Sequence, residues 1–317
     1  MISSATNTKL SLLIPNTNKV LNEILKHATP EQLSDLKEHK DIKTFLSSLF
    51  NDKINNTKSD ALLLDLLKNN PSFKTMGNFT DNLKSLLDNL KSDPQLAKKG
   101  EKLETFIQSA STLNSPLLKE KISHSGVFME SKIASLGTNP TPESLREIER
   151  DVKSQLLHLS DDLKGDDSPQ SAQLQTKIDN LITQIDYHQL QSHLNASNSL
   201  YFPFAWDGLE KGSLSSKKGK SGKFYCEINL TLKEYGDIDL MMALYEQNNL
   251  DIQIHTEKPE LKKVLKENLS SLKSLLQEAE LVLRNIRIVE NKEILTPVSN
   301  AYNQNDGDNY TGFEVTV

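Results

Sequence analysis

The sequence predicts an α+β protein, with an N-terminal helical arm or bundle followed by a small β-β-β-α-β two-layer sandwich. Three observations predict it. From Phe224 to Glu257, FYCEINLTLKEYGDIDLMMALYEQNNLDIQIHTE alternates apolar and polar residues in three runs, the period of half-buried strands. PELKKVLKENLSSLKSLLQEAE then carries its leucines at helical spacing, and LVLRNIRIVE returns to a strand pattern. Upstream of about residue 198, almost every apolar run has the helical period.

In chain order, residues 1–15 read as a flexible start, rich in Ser, Thr and Asn and compatible with a type III export signal. Residues 16–112 read as a region of short helices. Val20, Leu21, Ile24 and Leu25 mark the first, and Thr29-Pro30-Glu31-Gln32 opens a second. Ile42, Phe45, Leu46, Leu49 and Phe50 mark a third. Ser59-Asp60 and Thr80-Asp81 open two more, and a last one runs from Pro94 to about Ser111 with Gly100 weakening its middle. Residues 113–198 read as an antiparallel three-helix unit: Pro116–Leu136, Pro142–Leu163 and Pro169–Leu194, separated by GTNPTP and GDDSP. In the second, Leu145, Ile148, Val152, Leu156, Leu159 and Leu163 form a seam at alternating three and four spacings. Residues 199–292 form the α+β domain, and 293–317 read as a disordered tail.

Composition narrows the function. The 317 residues carry 37 Lys+Arg against 43 Asp+Glu, a net charge of −6, which argues against a nucleic-acid partner that needs a basic face. Mean hydropathy is −0.51, yet Leu and Ile recur with clear periodicity, so the chain reads as folded. A single cysteine, Cys226, excludes an internal disulfide and a cysteine-based zinc site. It sits on the apolar side of its run and reads as a small buried hydrophobe. No apolar stretch approaches the roughly 20 residues of a membrane span, and the start lacks the parts of a secretory signal peptide. The chain is expected to be made in the cytoplasm, not exported by the Sec route and not inserted in a membrane.

Candidate chemistry fails on spacing. Gly219-Lys220-Ser221 resembles the end of a phosphate loop, but the first glycine of that motif falls on Leu214 and a strand pattern follows. Gly208–Gly222 reads instead as a long flexible hairpin loop. His188 and His193 lie about 140° apart on a helix, too far round to share a metal, and read as surface histidines. His124-Ser125-Gly126 lacks the context of a nucleophile elbow. Asp161/Asp162 and Asp166/Asp167 read as solvated charge. No catalytic, cofactor-binding or metal-ligating residue is assigned, no cofactor is implied, and the chain reads as a non-enzyme.

In the α+β domain, LYFPFAW (Leu200–Trp206) is the densest aromatic run and is expected to pair with the first strand of the module across the lysine-rich loop. Phe224, Cys226, Ile228, Leu230 and Leu232 share one face. Ile238, Leu240, Met242 and Leu244, then Leu250, Ile252 and Ile254, continue it in an antiparallel sheet covered on one side. Leu261, Val264, Leu265, Leu269, Leu272, Leu275, Leu276 and Ala279 form the covering helix's stripe, and the last strand implies a bulge near Asn285.

LTLKEYGDIDLMMAL, LDIQIHTEKPELKKVLKENLSSLKSLLQEAEL and LRNIRIVE resemble the C-terminal domain of flagellar hook-length control proteins (FliK-like). SGVFMESKIASL (Ser125–Leu136) and LYFPFAW also resemble segments of long members. The resemblance implies a protein exported through the flagellar type III apparatus to the hook and the exterior. Its C-terminal domain would bind the cytoplasmic domain of the export switch protein (FlhB-like), end hook-subunit export and start filament-type export; hook and hook-cap proteins are the further partners implied. A helix-patterned, proline-poor arm departs from the disordered ruler of familiar members. It would span roughly 300 Å if fully helical and roughly 650 Å if extended, so measuring by extension and simple anchoring both stay open. A cytoplasmic export chaperone or scaffold, and a needle-length regulator of a virulence secretion system, are the alternatives. Tyr235, Gly236 and Asp237 at the turn, with exposed Met241 and Tyr245, are the candidate partner-binding residues.

Overall fold

The computed structural model describes residues 19–20, 23–24, 57–92, 94–107, 109, 112, 114–136, 140–194, 197–219 and 222–289. The expected flexible start, the helices around residues 30–36 and 41–52 and the tail after 292 lie outside these. The chain divides into a helical unit, Met1–Asn195 with Leu200–Trp206, and a sheet unit, Ala196–Ser199 with Asp207–Val317.

In the helical unit, α1 (Thr57–Asn69), α2 (Pro71–Lys74), α3 (Phe79–Lys91) and α4 (Pro94–Glu104) precede α5 (Ser115–Ser123), α6 (Met129–Ser135), α7 (Pro142–Glu149), α8 (Val152–Asp162) and α9 (Pro169–Leu194). Asn78 caps α3 by accepting from the amides of Thr80 and Asp81, satisfying donors that a helix start leaves bare. With 26 residues, α9 is about 39 Å long and serves as the axle. Its Leu174, Ile178, Leu181, Ile182 and Ile185 are buried against Leu83, Leu86 and Leu90 of α3 and Val152, Leu156 and Leu159 of α8. Further along α9, Leu190 joins Val20, Ile24, Leu63, Leu67 and Phe73 in a second core. Gly100 of α4 has a role in packing: a Cβ there would meet Leu87 Cδ2 at 3.1 Å and Leu90 Cδ1 at 3.2 Å, so its absence lets α4 approach α3.

Two of the three expected long helices are broken. Within 116–136 the chain leaves α5 at His124 and re-enters a helix only at Met129, with Gly126 at φ +87° between. That conformation is cheap for glycine alone. Within 142–163 the break falls at Asp151, which is extended (ψ 136°) and accepts from the Lys153 amide at 3.0 Å as the N-cap of α8. The apolar seam ran through this point; the capping preference of aspartate decided against continuity.

β1 (Asn198–Tyr201) straddles the division between the units, and the sheet unit holds β2 (Leu209–Lys218), β3 (Phe224–Leu232), β4 (Gly236–Tyr245), β5 (Asn249–Thr256), α10 (Pro259–Glu267), α11 (Leu269–Glu278) and β6 (Val282–Val289). Strand order follows the chain, β1-β2-β3-β4-β5-β6. The α+β class and the β-β-β-α-β order of β3 to β6 are as expected, with two more strands in front. Three details are corrected. Gly208–Gly222 is not a loop: β2 pairs with β3 from Leu209↔Leu232 to Lys218↔Phe224. Its Gly-Ser-Lys composition imitates a linker, but backbone pairing needs no apolar side chain. LYFPFAW does not pair with β3, whose neighbour on that side is β2, and only its first two residues are in a strand. The sheet is mixed, because the crossover through α10 and α11 returns β6 parallel to β5. The bulge expected near Asn285 is present: Leu250 pairs with Leu283 and Asp251 with Asn285, leaving Arg284 extra.

Candidate interaction surface

Strand register turns the alternating sequence into rows of side chains. On one face Leu214, Ile228, Leu240, Ile254 and Ile288 lie side by side across β2 to β6. The next row is Ser216, Cys226, Met242, Ile252 and Ile286, and the next Lys218, Phe224, Leu244, Leu250 and Leu283. α10 packs on β5 and α11 on β6. Cover is therefore deepest over β5, where Leu250, Ile252 and Ile254 are 3–5% exposed. It thins toward β3: Leu240, Met242 and Leu244 on β4, and Phe224, Cys226, Ile228 and Leu230 on β3, are only half-buried. The helices also keep apolar surface in solvent. α11 buries no residue completely, and Val264 and Leu275 are 41% and 60% exposed. A strip of half-covered apolar side chains on two strands is what a binding surface needs and a closed core lacks. Burial, with the neighbouring Glu227 charge, pushes the Cys226 thiol up to about 11, so it stays a neutral apolar group.

The opposite face carries Ser215, Glu227, Met241, Gln253 and Arg287 in one row and Ser213, Asn229, Asp239, His255 and Val289 in the next. His255 Nδ1 lies 3.2 Å from Asp239 Oδ2. At the centre of this face Met241, Ala243, Asp239 and His255 are buried, while Glu227, Asn229 and Gln253 beside them are half-buried. Met241 itself is 6% exposed, which corrects its reading as an exposed contact. On an inner strand, the long side chains of Glu227 and Gln253 flank it on either side.

The other nominated residues do not form one patch. Tyr235 and Gly236 sit at the β3–β4 turn, where Gly236 takes φ +69°. Asp237 is exposed and accepts from Thr231 Oγ1 at 2.6 Å. Tyr245 stands at the other end of β4, about 30 Å away at strand rise. Its hydroxyl is 3.4 Å from Asp251 Oδ1, and the Lys223 ammonium lies 5.2 Å from its ring centroid. Of the rejected phosphate-loop motif, Gly219 donates its amide to Lys223 O at 2.7 Å with β3 following, and Lys220 and Ser221 lie outside the described residues. His188 is corrected from surface to core: it is 8% exposed, and burial drives its pKa down to about 3. The His193 side chain lies outside the described set. Among the described residues no group of three potential metal ligands converges, and no helix is long and apolar enough to cross a membrane.

One charged cluster escaped the sequence reading altogether. In the helical unit the Lys153 ammonium, 1% exposed, contacts Glu130, Asp186 at 2.7 Å and Gln189 Oε1 at 2.8 Å. Beside it Lys132 Nζ lies 3.4 Å from fully buried Asp151 and donates to Ser123 O at 2.6 Å. The available signal was positional: Asp186 follows Ile182 by four and precedes Gln189 by three, on the inward stripe of α9.

Residues 213–293 match the family described as flagellar hook-length control protein FliK. That range begins inside β2, closes just beyond β6 and covers about a quarter of the chain; it does not reach Ser125–Leu136 or LYFPFAW. No curated protein and no solved structure matches. Strands β2 to β6 with their two crossover helices are thus a FliK-like C-terminal domain.

Proposed function

We propose that this protein ends hook growth by switching the export apparatus from hook-type to filament-type substrates. In this reading the sheet unit binds the cytoplasmic domain of the export switch protein, after the chain has itself entered the flagellar type III channel. Hook and hook-cap proteins are its further contacts. The observation that carries the reading is the family match over the very strands whose apolar face is half-covered. Such a face supports transient binding that biases another protein between two states, and no bond-making chemistry is required of it.

The decisive experiment is deletion of the gene. Over-long hooks without filaments are expected, and normal flagella in the deletion strain would refute the proposal. Binding is tested separately, by titrating the purified full chain with the cytoplasmic domain of the switch protein. Leu240→Asp and Ile228→Asp, on the half-covered strip, should abolish binding while leaving the circular dichroism of the chain unchanged.

A further inference from the structure

The buried ionic cluster of the helical unit is unbalanced. From α6 come Glu130 and Lys132, from the start of α8 Asp151 and Lys153, and from α9 Asp186 with the neutral Gln189. That is three carboxylates against two ammonium groups. Asp151 and Asp186 are 0% exposed and Lys153 is 1% exposed, so solvent screens little around these three, whereas the Glu130 and Lys132 side chains are each 23% exposed. Among the described residues, the other polar groups that contact the cluster add no third ammonium. The Lys19 amide donates to Asp186 Oδ2 at 2.9 Å, while its ammonium is held 2.6 Å away by Asp179. Tyr201 donates its hydroxyl to Ser125 O at 2.8 Å; burial and then the Asp151 charge push its pKa well up, so it remains neutral. The Gln189 amide donates to the carbonyls of Gly126 and Val127, at 3.2 and 3.1 Å, and to Glu130.

We propose that the folded helical unit keeps one proton on this cluster, seated on Asp151, and that opening the unit releases it, so that the unit loosens as pH rises. A negative charge at zero exposure whose ammonium partner stands 3.4 Å away is costlier than a protonated carboxyl, and among the described residues the cluster has one carboxylate more than it has ammonium groups. Asp151 is the site because Lys153 is already engaged by Glu130 and Asp186, whereas the Lys132 contact is the longest in the cluster. Burial raises the Asp151 carboxyl to about 7, Lys132 only partly opposing it; burial raises Asp186 as well, but there the Lys153 ammonium, 2.7 Å away, opposes it. Burial works against the Lys153 ammonium too, but Glu130 and Asp186 overcome it and hold its pKa above the usual range. The sign is set by Asp151: its folded pKa lies above its unfolded value of 3.8, so the fold binds more protons than the open chain. Its stabilisation is complete below pH 3.8 and lost as pH rises through 7.

The test is native-state hydrogen exchange of α8 and α9 amides in the full chain and in Asp151→Asn, which keeps an N-capping oxygen. The opening constant of the parent, divided by that of Asp151→Asn, should climb about tenfold per pH unit from pH 5 toward 7 and then level. In Glu130→Gln the carboxylates and lysines are equal in number, and its ratio to Asp151→Asn should be flat from pH 6 to 8. A parent ratio constant within about twofold across pH 5–8 overturns the proposal. Carboxyl ¹³C shifts of the unmodified chain give an independent reading that needs no variant: one Asp carboxyl should still be protonated at pH 6. If every carboxyl has ionised by pH 5.5, the proton is not there.

Discussion

Gly126 sits where three constraints meet, and Gly126→Ala measures them. At φ +87° an L residue carries a cost of about 1–2 kcal/mol for the left-handed conformation. The added Cβ would stand 2.9 Å from Ile185 Cδ1, 3.0 Å from Lys153 Cβ and 3.1 Å from Ile185 Cγ2. Ile185 is 0% exposed, and Lys153 is tied by its ammonium to two carboxylates, so neither can swing aside. Overpacking of this kind adds about 1–3 kcal/mol. The lower entropy of an unfolded alanine returns about 0.4–1 kcal/mol, leaving a net destabilisation of roughly 2–4 kcal/mol. At a urea slope of about 2 kcal/mol/M, the helical transition seen by far-UV circular dichroism should move down by about 1–2 M with its slope unchanged. Gly165 is the control: its φ is +92°, but nothing lies within 4 Å of an added Cβ. Gly165→Ala should therefore show the conformational cost alone. If Gly126→Ala melts with Gly165→Ala or above it, the tight approach of α9 to the α5–α6 turn is wrong.

Three further outcomes are expected. His188 has a folded pKa of about 3 against 6.5 unfolded, so its contribution is present above pH 6.5 and is lost as pH falls toward 3. It is worth on the order of 5 kcal/mol in full. Acid titration of stability should flatten in His188→Gln and steepen in Asp151→Asn, because Asp151 runs the opposite way between pH 3.8 and 6.5. Ile254→Ala, on the deeply covered strand β5, should cost about 2–5 kcal/mol, whereas Leu275→Ser, 60% exposed, should lie within about 0.5 kcal/mol of the parent; urea melts of the sheet unit decide this. At pH 8 Cys226 should react with a thiol reagent roughly two orders of magnitude slower than free cysteine, and comparable rates would show that the thiol is not held near 11.

The readable parts of this chain were those where side chains alone decide the structure. Strand pattern and register agreed from Phe224 to Ile254 because every second residue is apolar on a pleated sheet. The bulge at Arg284 was legible as a slip in that alternation. β2 was not, since Glu210 to Lys218 has one large apolar residue, Leu214, and its place is set by backbone hydrogen bonds to β3. The breaks at Gly126 and Asp151 hid inside a helical period that tertiary packing did not follow. Of the candidate surface, the apolar face could be read but not how much of it the helices leave open. Met241 was misplaced because side-chain alternation gives a face, whereas exposure depends on the strands to either side. The Lys153 cluster stayed hidden because charged residues on an amphipathic helix are read as solvated until a partner helix is placed over them.

The bulge at Arg284 reaches beyond register. β6 ends the sheet among the described residues, so its outer backbone groups face away from β5 and could template a foreign strand. Its sequence, VLRNIRIV, has the β-propensity for such pairing. Arg284, displaced by the bulge, donates to Asn249 Oδ1 at 2.8 Å and interrupts the flat edge, and Arg287 adds a second positive charge three residues later. The same slip that made the last strand recognisable thus breaks the regular edge that a pairing strand would need.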